Sequence, residues 1–421
     1  VTLDPTAGPI AGSDVLVVGG GPAGSSVAIR LAAAGHSVTL VEKRPTRLKA
    51  CGDTITPRAL AEVADLGVDV ADHPGHRVVG VEMRHGARVV PTPWPAHPDH
   101  PPMALVIRRD AFDDRLRRRA AAAGAVVLGG HEATVPIIER GFVRGAHVQR
   151  ADGSSLELRS RFVVVADGAS SRFGRVLGTN RDPRWPYAIA TRTYFASELS
   201  DRDWIEVTLG LAEANERPTA GYGWVAPIGD GTVNVGIGVL SSARDVRSLN
   251  ALKLLGRFAE SVSRRWRFDP ALQLKAPTRF RIPLGGSVSP KMGPTFLVVG
   301  DAGGAASPFS GVGIDAALMT GRLAAQALDE ALVTGSAAGL QRYPTLLADE
   351  VGRYQKVGRL TARFIGRPTL LQPLLRLGTR SEALMGGMLR IAGNELRSAE
   401  GGAAERTYAV AATLSRLAPN W

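Results

Sequence analysis

One cysteine, Cys51, stands in a chain of 421 residues. No intrachain disulfide can form, and neither a disulfide framework nor a cysteine-cluster metal site can be built. Lysine is nearly as scarce. Only six of the 51 basic residues are lysines (Lys43, Lys49, Lys253, Lys275, Lys291 and Lys356), so none lies between Lys49 and Lys253. Long apolar runs are missing too: none approaches the ~20 residues of a membrane-crossing helix, and the Gly- and Ala-rich stretch near the start is broken by Arg30. Val1 to Ser13 lack a basic segment followed by an apolar one, so a cytoplasmic location is expected.

What is present describes a globular protein. A 44% hydrophobic and 21% charged composition over this length can bury a large core. The net charge is +12, and residues 341–421 carry 12 basic against 6 acidic side chains, so about half of it sits at the C-terminal end. Such charge suits anionic partners. Nucleic acid is not expected among them, because no recognition motif or aromatic array accompanies the arginines.

The residue pattern predicts an α/β fold, α+β overall, in three parts. Residues 14–43 read as strand, helix, strand: Asp14 to Val18, Pro22 to Ala34 and Ser37 to Glu42. Thr56-Pro57 should cap a helix over 58–66. Segments 77–91 and 143–166 alternate like antiparallel hairpins, with helix 110–124 between them. Residues 186–286 are strand-rich, with a hairpin turn at Gly229-Asp230-Gly231. A buried strand at 296–299 and an Ala-rich helix over 313–332 return to the first lobe, and helices interrupted at Pro368 and Pro373 follow. The expected division is a Rossmann-type lobe (1–76, 101–180 and 287–335), an antiparallel-sheet substrate lobe (77–100 and 181–286) and a basic helical region (336–421).

Gly19, Gly21 and Gly24 form G-x-G-x-x-G between a strand and a helix, where bare backbone lets a pyrophosphate approach the helix N-terminus. Glu42 closes the next strand, where a carboxylate can bind ribose hydroxyls. Downstream, Asp167-Gly168 ends an apolar strand and begins Asp167-Gly168-Ala169-Ser170-Ser171-Arg172-Phe173-Gly174-Arg175, and Gly300-Asp301 ends another. In this order the motifs resemble those of FAD-dependent hydroxylases and reductases with one Rossmann lobe. That resemblance implies FAD as cofactor, with Asp301 on its ribityl and pyrophosphate portion and Asp167-Gly168 shaping the site. It also implies cofactor contacts from Arg109 and, at the adenine end, from Arg44. The loop Ser307 to Ile314 precedes the Ala-rich helix, so the amides of Gly311, Val312 and Gly313 can face the flavin N1 and O2. A purely structural glycine-rich connection would read alike.

Two further segments narrow the resemblance. Lys49-Ala50-Cys51-Gly52-Asp53 followed by Thr56-Pro57-Arg58 is similar to the Cys-Gly loop of the geranylgeranyl reductase family. Gly221 to Pro227, with Asn234-Val235-Gly236 on the return strand, is similar to that family's Y-x-W-x-F-P signature. The resemblance covers roughly residues 14–325 and, in order and spacing, looks closest to bacterial reductases of the menaquinone prenyl tail. It implies hydride transfer from reduced FAD to a prenyl-chain double bond. Independently of the family, Tyr222, Trp224 and Ala226 share one face of a strand and can line an apolar cavity. A plain core beneath the sheet would look similar. Ala226 stands where the signature has Phe, which should widen the cavity, and Val312 replaces a common Glu.

An isolated alkene accepts hydride poorly, so a proton must be delivered to its other carbon; Cys51 and Tyr222 are the candidate donors. An external donor, NAD(P)H or a redox protein, must reduce the flavin, since no second nucleotide fingerprint is present. Arg353, Lys356, Arg359, Arg363 and Arg367 fall on one helical face, with Tyr354, Val357, Leu360 and Phe364 toward another and Leu370-Leu371 and Leu374-Leu375 just beyond. This helix is expected either to rest on the anionic inner face of the membrane or to be a solvated cap. The same lobe also serves flavin monooxygenases and would suit a non-catalytic flavin-bearing lipid binder. A flavin halogenase is disfavoured by the missing first-lobe lysine.

Overall fold

The computed structural model describes residues 12–46, 51–69, 75–212, 219–243, 246, 249–366, 368–396 and 402–416. Strand β1 (Ser13–Val18) runs through the glycine turn into helix α1 (Pro22–Ala33), and β2 (Val38–Glu42) returns parallel to β1. A short strand β3 (Thr54–Ile55) precedes helix α2 (Pro57–Asp65), whose N-cap is Thr56, its hydroxyl accepting from the Ala59 amide. Then come β4 (His76–Val78), β5 (Gly80–His85), β6 (Arg88–Pro93), β7 (Ala104–Val106), α3 (Arg109–Ala122), β8 (Val126–Gly129), β9 (His131–Glu139), β10 (Phe142–Arg150) and β11 (Ser155–Val165). The second half holds α4 (Arg172–Val176), β12 (Asn180–Arg181), β13 (Tyr187–Ala196), β14 (Trp204–Leu209), β15 (Gly221–Pro227), β16 (Thr232–Leu240), α5 (Ala251–Ser263), β17 (Thr278–Pro283), β18 (Val288–Ser289), β19 (Met292–Gly293) and β20 (Phe296–Val298). Helices α6 (Ile314–Val333), α7 (Arg342–Leu347), α8 (Arg353–Ile365), α9 (Pro368–Gly378), α10 (Glu382–Ala392) and α11 (Ala403–Arg416) close the chain.

The first sheet has the order β19-β20-β11-β1-β2-β8, with β10 and β9 continuing from β11. Strands β20, β11, β1, β2 and β8 run parallel and are covered on both faces, which is why they read as unbroken apolar runs. Val15, Val17 and Leu40 pack with Val27, Leu31 and Phe112 on one side, while Leu16, Val18 and Val41 pack with Val143 and Val163 on the other. The expected hairpin over 143–166 holds only from Ser155 to Arg159, where β11 pairs antiparallel with β10. From Ser160 the same strand runs parallel between β1 and β20, because its apolar end belongs to the buried sheet.

The second sheet has the order β17-β13-β16-β15-β14-β5-β6 and is antiparallel except for the β14–β5 pair. Helix α5 covers one face, so closely that a Cβ on Gly223 would lie 2.5 Å from the Phe258 ring. A small sheet, β3-β7-β4, lies on the other face: Val78, Ala104 and Val106 share a core with Trp224 and Ala226.

The helical region departs from expectation at two points. Pro368 opens α9, but Pro373 lies inside that helix and does not end it. The basic face of α8 is turned partly inward. Arg359 is half-buried, donates to the Gly285 carbonyl and lies 4.7 Å over the Trp185 ring, with Arg363 at 5.0 Å on the same ring, whereas Phe364 is 60% exposed. Lys49, Ala50, Arg367 and Val1 to Ala11 lie outside the described residues.

Lys291 ties the loop before β18 to the turn after β20, donating to the Gly286 carbonyl at 2.9 Å and the Gly303 carbonyl at 2.5 Å. Burial, and then Arg359, push this lysine down to about 7 from its ordinary 10.5. The folded state therefore holds fewer protons than the unfolded chain between those values, so this group adds stability as pH rises through that window. Denaturant melts should show wild-type stability increasing relative to Lys291→Met between pH 7 and 10. A constant difference would contradict the depressed value.

Candidate active site

The glycine turn is set by contacts that only glycine allows. Gly19 has φ 111°, and a Cβ there would fall 2.3 Å from the Ala166 carbonyl oxygen; one on Gly24 would fall 2.0 Å from the Gly19 carbonyl oxygen. Helix α1 starts at Gly21 with no side-chain cap, which leaves its first amides for an anion. Glu42 is fixed at the end of β2: its carboxylate accepts from the Gly20 and Arg44 amides, each at 2.9 Å. The Arg44 side chain is exposed beyond it. Arg117 on α3, which sequence reasoning missed, braces the turn by donating to the Gly20 and Pro45 carbonyls.

The second half of the cradle lies at α6. Gly313 is its N-cap, again with no side-chain cap, and a Cβ there would meet Asp301 Oδ1 at 3.2 Å, so the Asp301 carboxylate sits beside the helix start. Gly311 has φ 74°, and the Ser307 amide donates to the Val312 carbonyl at 2.7 Å, folding Ser307 to Gly313 into a tight loop. Helix α8 backs this loop: a Cβ on Gly358 would lie 2.1 Å from Pro308. Two uncapped helix starts, a carboxylate at each and bare glycine backbone between them fit a dinucleotide with a ring at the α6 end. Asp167 is structural, accepting from the Ser171 hydroxyl at 2.5 Å and the Phe173 amide at 3.0 Å.

Cys51 and Tyr222 converge on that end. The Tyr222 hydroxyl donates to the Ser310 carbonyl at 2.5 Å, which joins the second sheet to the α6 loop. Burial, and then Cys51, push Tyr222 up to about 12, so it stays a phenol at neutral pH. Arg109 is no surface arginine: it is buried, bonds Asp113 at 2.9 Å and interacts with the Cys51 side chain. Burial works to lower its pKa, and Asp113 and then Cys51 more than reverse that, so it remains a cation beside the sulfur. Trp224 is buried, packed on Gly52 and donating to Asn234 Oδ1 at 3.0 Å.

Ala226 corrects an expectation. Its side chain is fully enclosed among Val78, Ala104, Val106 and Ile228, so it belongs to the core behind the wall and widens no open cavity. Of the three residues on that strand face, Tyr222 is half-buried, and the buried Trp224 tilts against it with ring centroids 5.9 Å apart. Asp53, Tyr194 and Asn234 were overlooked as a unit. The Asn234 amide and Tyr194 hydroxyl both donate to Asp53 Oδ2, at 2.7 and 2.6 Å. The available signal was an amide in the otherwise apolar strand β16, since a buried amide needs partners. Elsewhere, His97, His100 and Glu395 place donor atoms within 4.8 Å of one another. The two imidazoles stack at 3.9 Å and 12°, which keeps their in-plane lone pairs from converging, and His100 Nδ1 lies 2.6 Å from Glu395. The trio clasps the β6–β7 loop to the end of α10.

An FAD binding domain model matches residues 12–213. A menaquinone reductase of Mycobacterium tuberculosis is 35% identical over 96% of this chain and 97% of its own. A digeranylgeranylglycerophospholipid reductase of Methanosphaerula palustris is 32% identical over 74% of this chain and 75% of its own. Among solved structures, a geranylgeranyl bacteriochlorophyll reductase-like protein of Thermoplasma acidophilum superposes with a TM-score of 0.77 at 25% identity, covering 95% of this chain and 99% of that one. A flavin-dependent brominase shares the fold, with a TM-score of 0.73 at 19% identity over 97% and 100%. FAD is thus the cofactor, and the cradle fits it.

Gly24→Ala places a methyl against the Gly19 carbonyl and should lower the flavin-to-protein absorbance ratio of purified protein by about tenfold or more. A stoichiometric yellow variant would show that the turn is not where FAD binds.

Proposed function

The chain belongs to the geranylgeranyl reductase family of FAD-dependent oxidoreductases, and from that premise we propose that it saturates a double bond in the prenyl chain of a lipid, a prenylquinone such as menaquinone being the favoured class. The observation that carries this reading is the meeting of Cys51, Arg109 and Tyr222 at the α6 loop. FAD, when bound and reduced, supplies a hydride to one alkene carbon.

The protein's own residues do the rest. The Gly19 to Gly24 turn and the start of α1 would hold the pyrophosphate, Glu42 the ribose and Asp301 the ribityl portion. The amides at Val312 and Gly313 would be available to the bound ring. Tyr222 and Trp224 form the apolar wall along which a prenyl chain lies. The other alkene carbon takes its proton from the Cys51 thiol, and the positive Arg109 guanidinium offsets the negative charge left on sulfur until solvent returns a proton. Tyr222 serves in positioning, since its proton is engaged by the Ser310 carbonyl and burial holds it as a phenol. Each turnover oxidises the flavin by two electrons, so NAD(P)H or a redox protein restores it.

No helix among the described residues is long and apolar enough to cross a membrane. Substrate is instead taken up at a lipid surface by the C-terminal helices. Phe364, Leu377, Leu384, Met388, Val410 and Leu414 are exposed there, each more than a third accessible, interspersed with arginines. This replaces the basic face of α8 as the contact, because Arg359 is committed to Gly285 and Trp185.

Anaerobic incubation of dithionite-reduced enzyme with menaquinone, followed by mass spectrometry, should show a gain of two hydrogens. An oxygenated product formed only in air would indicate a monooxygenase, and unchanged lipid over many equivalents of reductant a binder. Cys51→Ala should keep its flavin and lose on the order of a hundredfold in turnover; undiminished turnover removes the thiol as donor. Wild-type protein should co-sediment with phosphatidylglycerol vesicles and release in salt, and Leu384→Glu/Met388→Glu should weaken this about tenfold. Equal sedimentation of the two proteins would place the contact elsewhere.

A further inference from the structure

Asp53 is fully buried, and its backbone has φ 59°, a left-handed conformation that Asp adopts at some cost. It ends the Cys51-Gly52-Asp53 turn, and its own carbonyl accepts from the Ile107 amide at 2.8 Å. Its side chain explains why the conformation persists. Oδ2 receives the Tyr194 hydroxyl at 2.6 Å and Asn234 Nδ2 at 2.7 Å. The same Asn234 nitrogen donates its second hydrogen to the Cys51 carbonyl at 2.8 Å, and Asn234 Oδ1 accepts from Trp224 Nε1. These partners determine the amide's orientation, since reversing it would set two donors against each other at Trp224.

One fully buried amide thereby ties three things together: an acid, the turn that bears the only thiol, and the wall tryptophan. The neighbourhood is built to match. A Cβ on Gly236 would lie 2.1 Å from the Trp224 ring, so the glycine across the hairpin makes room for the indole. Arg192 lies 4.3 Å and Arg108 4.6 Å over the Tyr194 ring, which holds the phenol toward Asp53. Asp53 itself has no exposed surface and touches no reacting atom.

We propose that Asp53, acting through Asn234, is the positioning residue that fixes the Cys51 turn so that its thiol stands between Arg109 and Tyr222. The proposal deepens the reading of Cys51 as proton donor and rests on it for its catalytic consequence. The hydrogen bonds matter here more than the charge: an asparagine at 53 can keep its oxygen on Tyr194 and Asn234, whereas an alanine cannot.

Because Cys51 is the chain's only cysteine, iodoacetamide labelling of the FAD-loaded enzyme reports this turn alone. Asp53→Ala should release the turn, speed labelling about fivefold and lower kcat with reduced enzyme on the order of tenfold at little changed KM. Asp53→Asn should restore both toward wild type. Should Asp53→Ala not fold, Asn234→Ala, which removes the relay but leaves Asp53 its tyrosine, decides the matter by the same readouts. Folded, flavin-bearing variants that label and turn over at the wild-type rate overturn the proposal. So does an Asp53→Asn enzyme as impaired as Asp53→Ala, which would assign the effect to charge. Altered labelling in these variants, together with an active Cys51→Ala enzyme, would preserve the positioning role and instead sink the proton-donor reading.

Discussion

The Cys51 turn has no helix or long strand of its own to define it, and side chains of the second sheet hold it in place. Asn234 and Tyr194 reach across to Asp53, and Tyr222 reaches across to Ser310. These polar bonds join the nucleotide lobe to the sheet at the point where chemistry is expected. Buried polar bonds suit this task because they have direction. An apolar joint would tolerate sliding, whereas a shared amide with three partners permits one arrangement.

The first lobe was legible because its signals are local. A glycine demanded by a close backbone approach, a proline at a helix start and a Thr cap are each readable within a few residues. Parity along β15 likewise placed Tyr222, Trp224 and Ala226 on one face. Periodicity gives the face a residue occupies but not what covers it, so Ala226 was read as cavity lining when the small sheet β3-β7-β4 encloses it. The same limit applied to α8. Spacing put the arginines on one side, but only the tertiary fold brings Trp185 and the Gly285 carbonyl to meet two of them. The role of Asp53 depends on partners 141 and 181 residues away in the chain, beyond any local pattern.

The relatives show how widely this frame is used. A reductase-like protein and a brominase share it, so the fold alone leaves the chemistry open. This chain departs from the family signature at Ala226 and Val312. The first departure lies in a packed core and the second in the loop at the start of α6, so the two differ in surroundings. A change at 226 is felt through packing, whereas one at 312 falls in the loop closed by the Ser307 amide.

The carbonyl of Ala392, at the C-terminal end of α10, accepts from the Tyr354 hydroxyl at 3.0 Å, the Ser310 hydroxyl at 3.2 Å and the Ser307 hydroxyl at 3.4 Å. The loop at the start of α6 is thus bonded to a helix whose end lies 82 residues beyond Ser310 and 85 beyond Ser307. Its hydroxyls find their acceptor only once α10 has been synthesised and docked, so the start of α6 is completed by a helix made well after it rather than by its own neighbours in sequence.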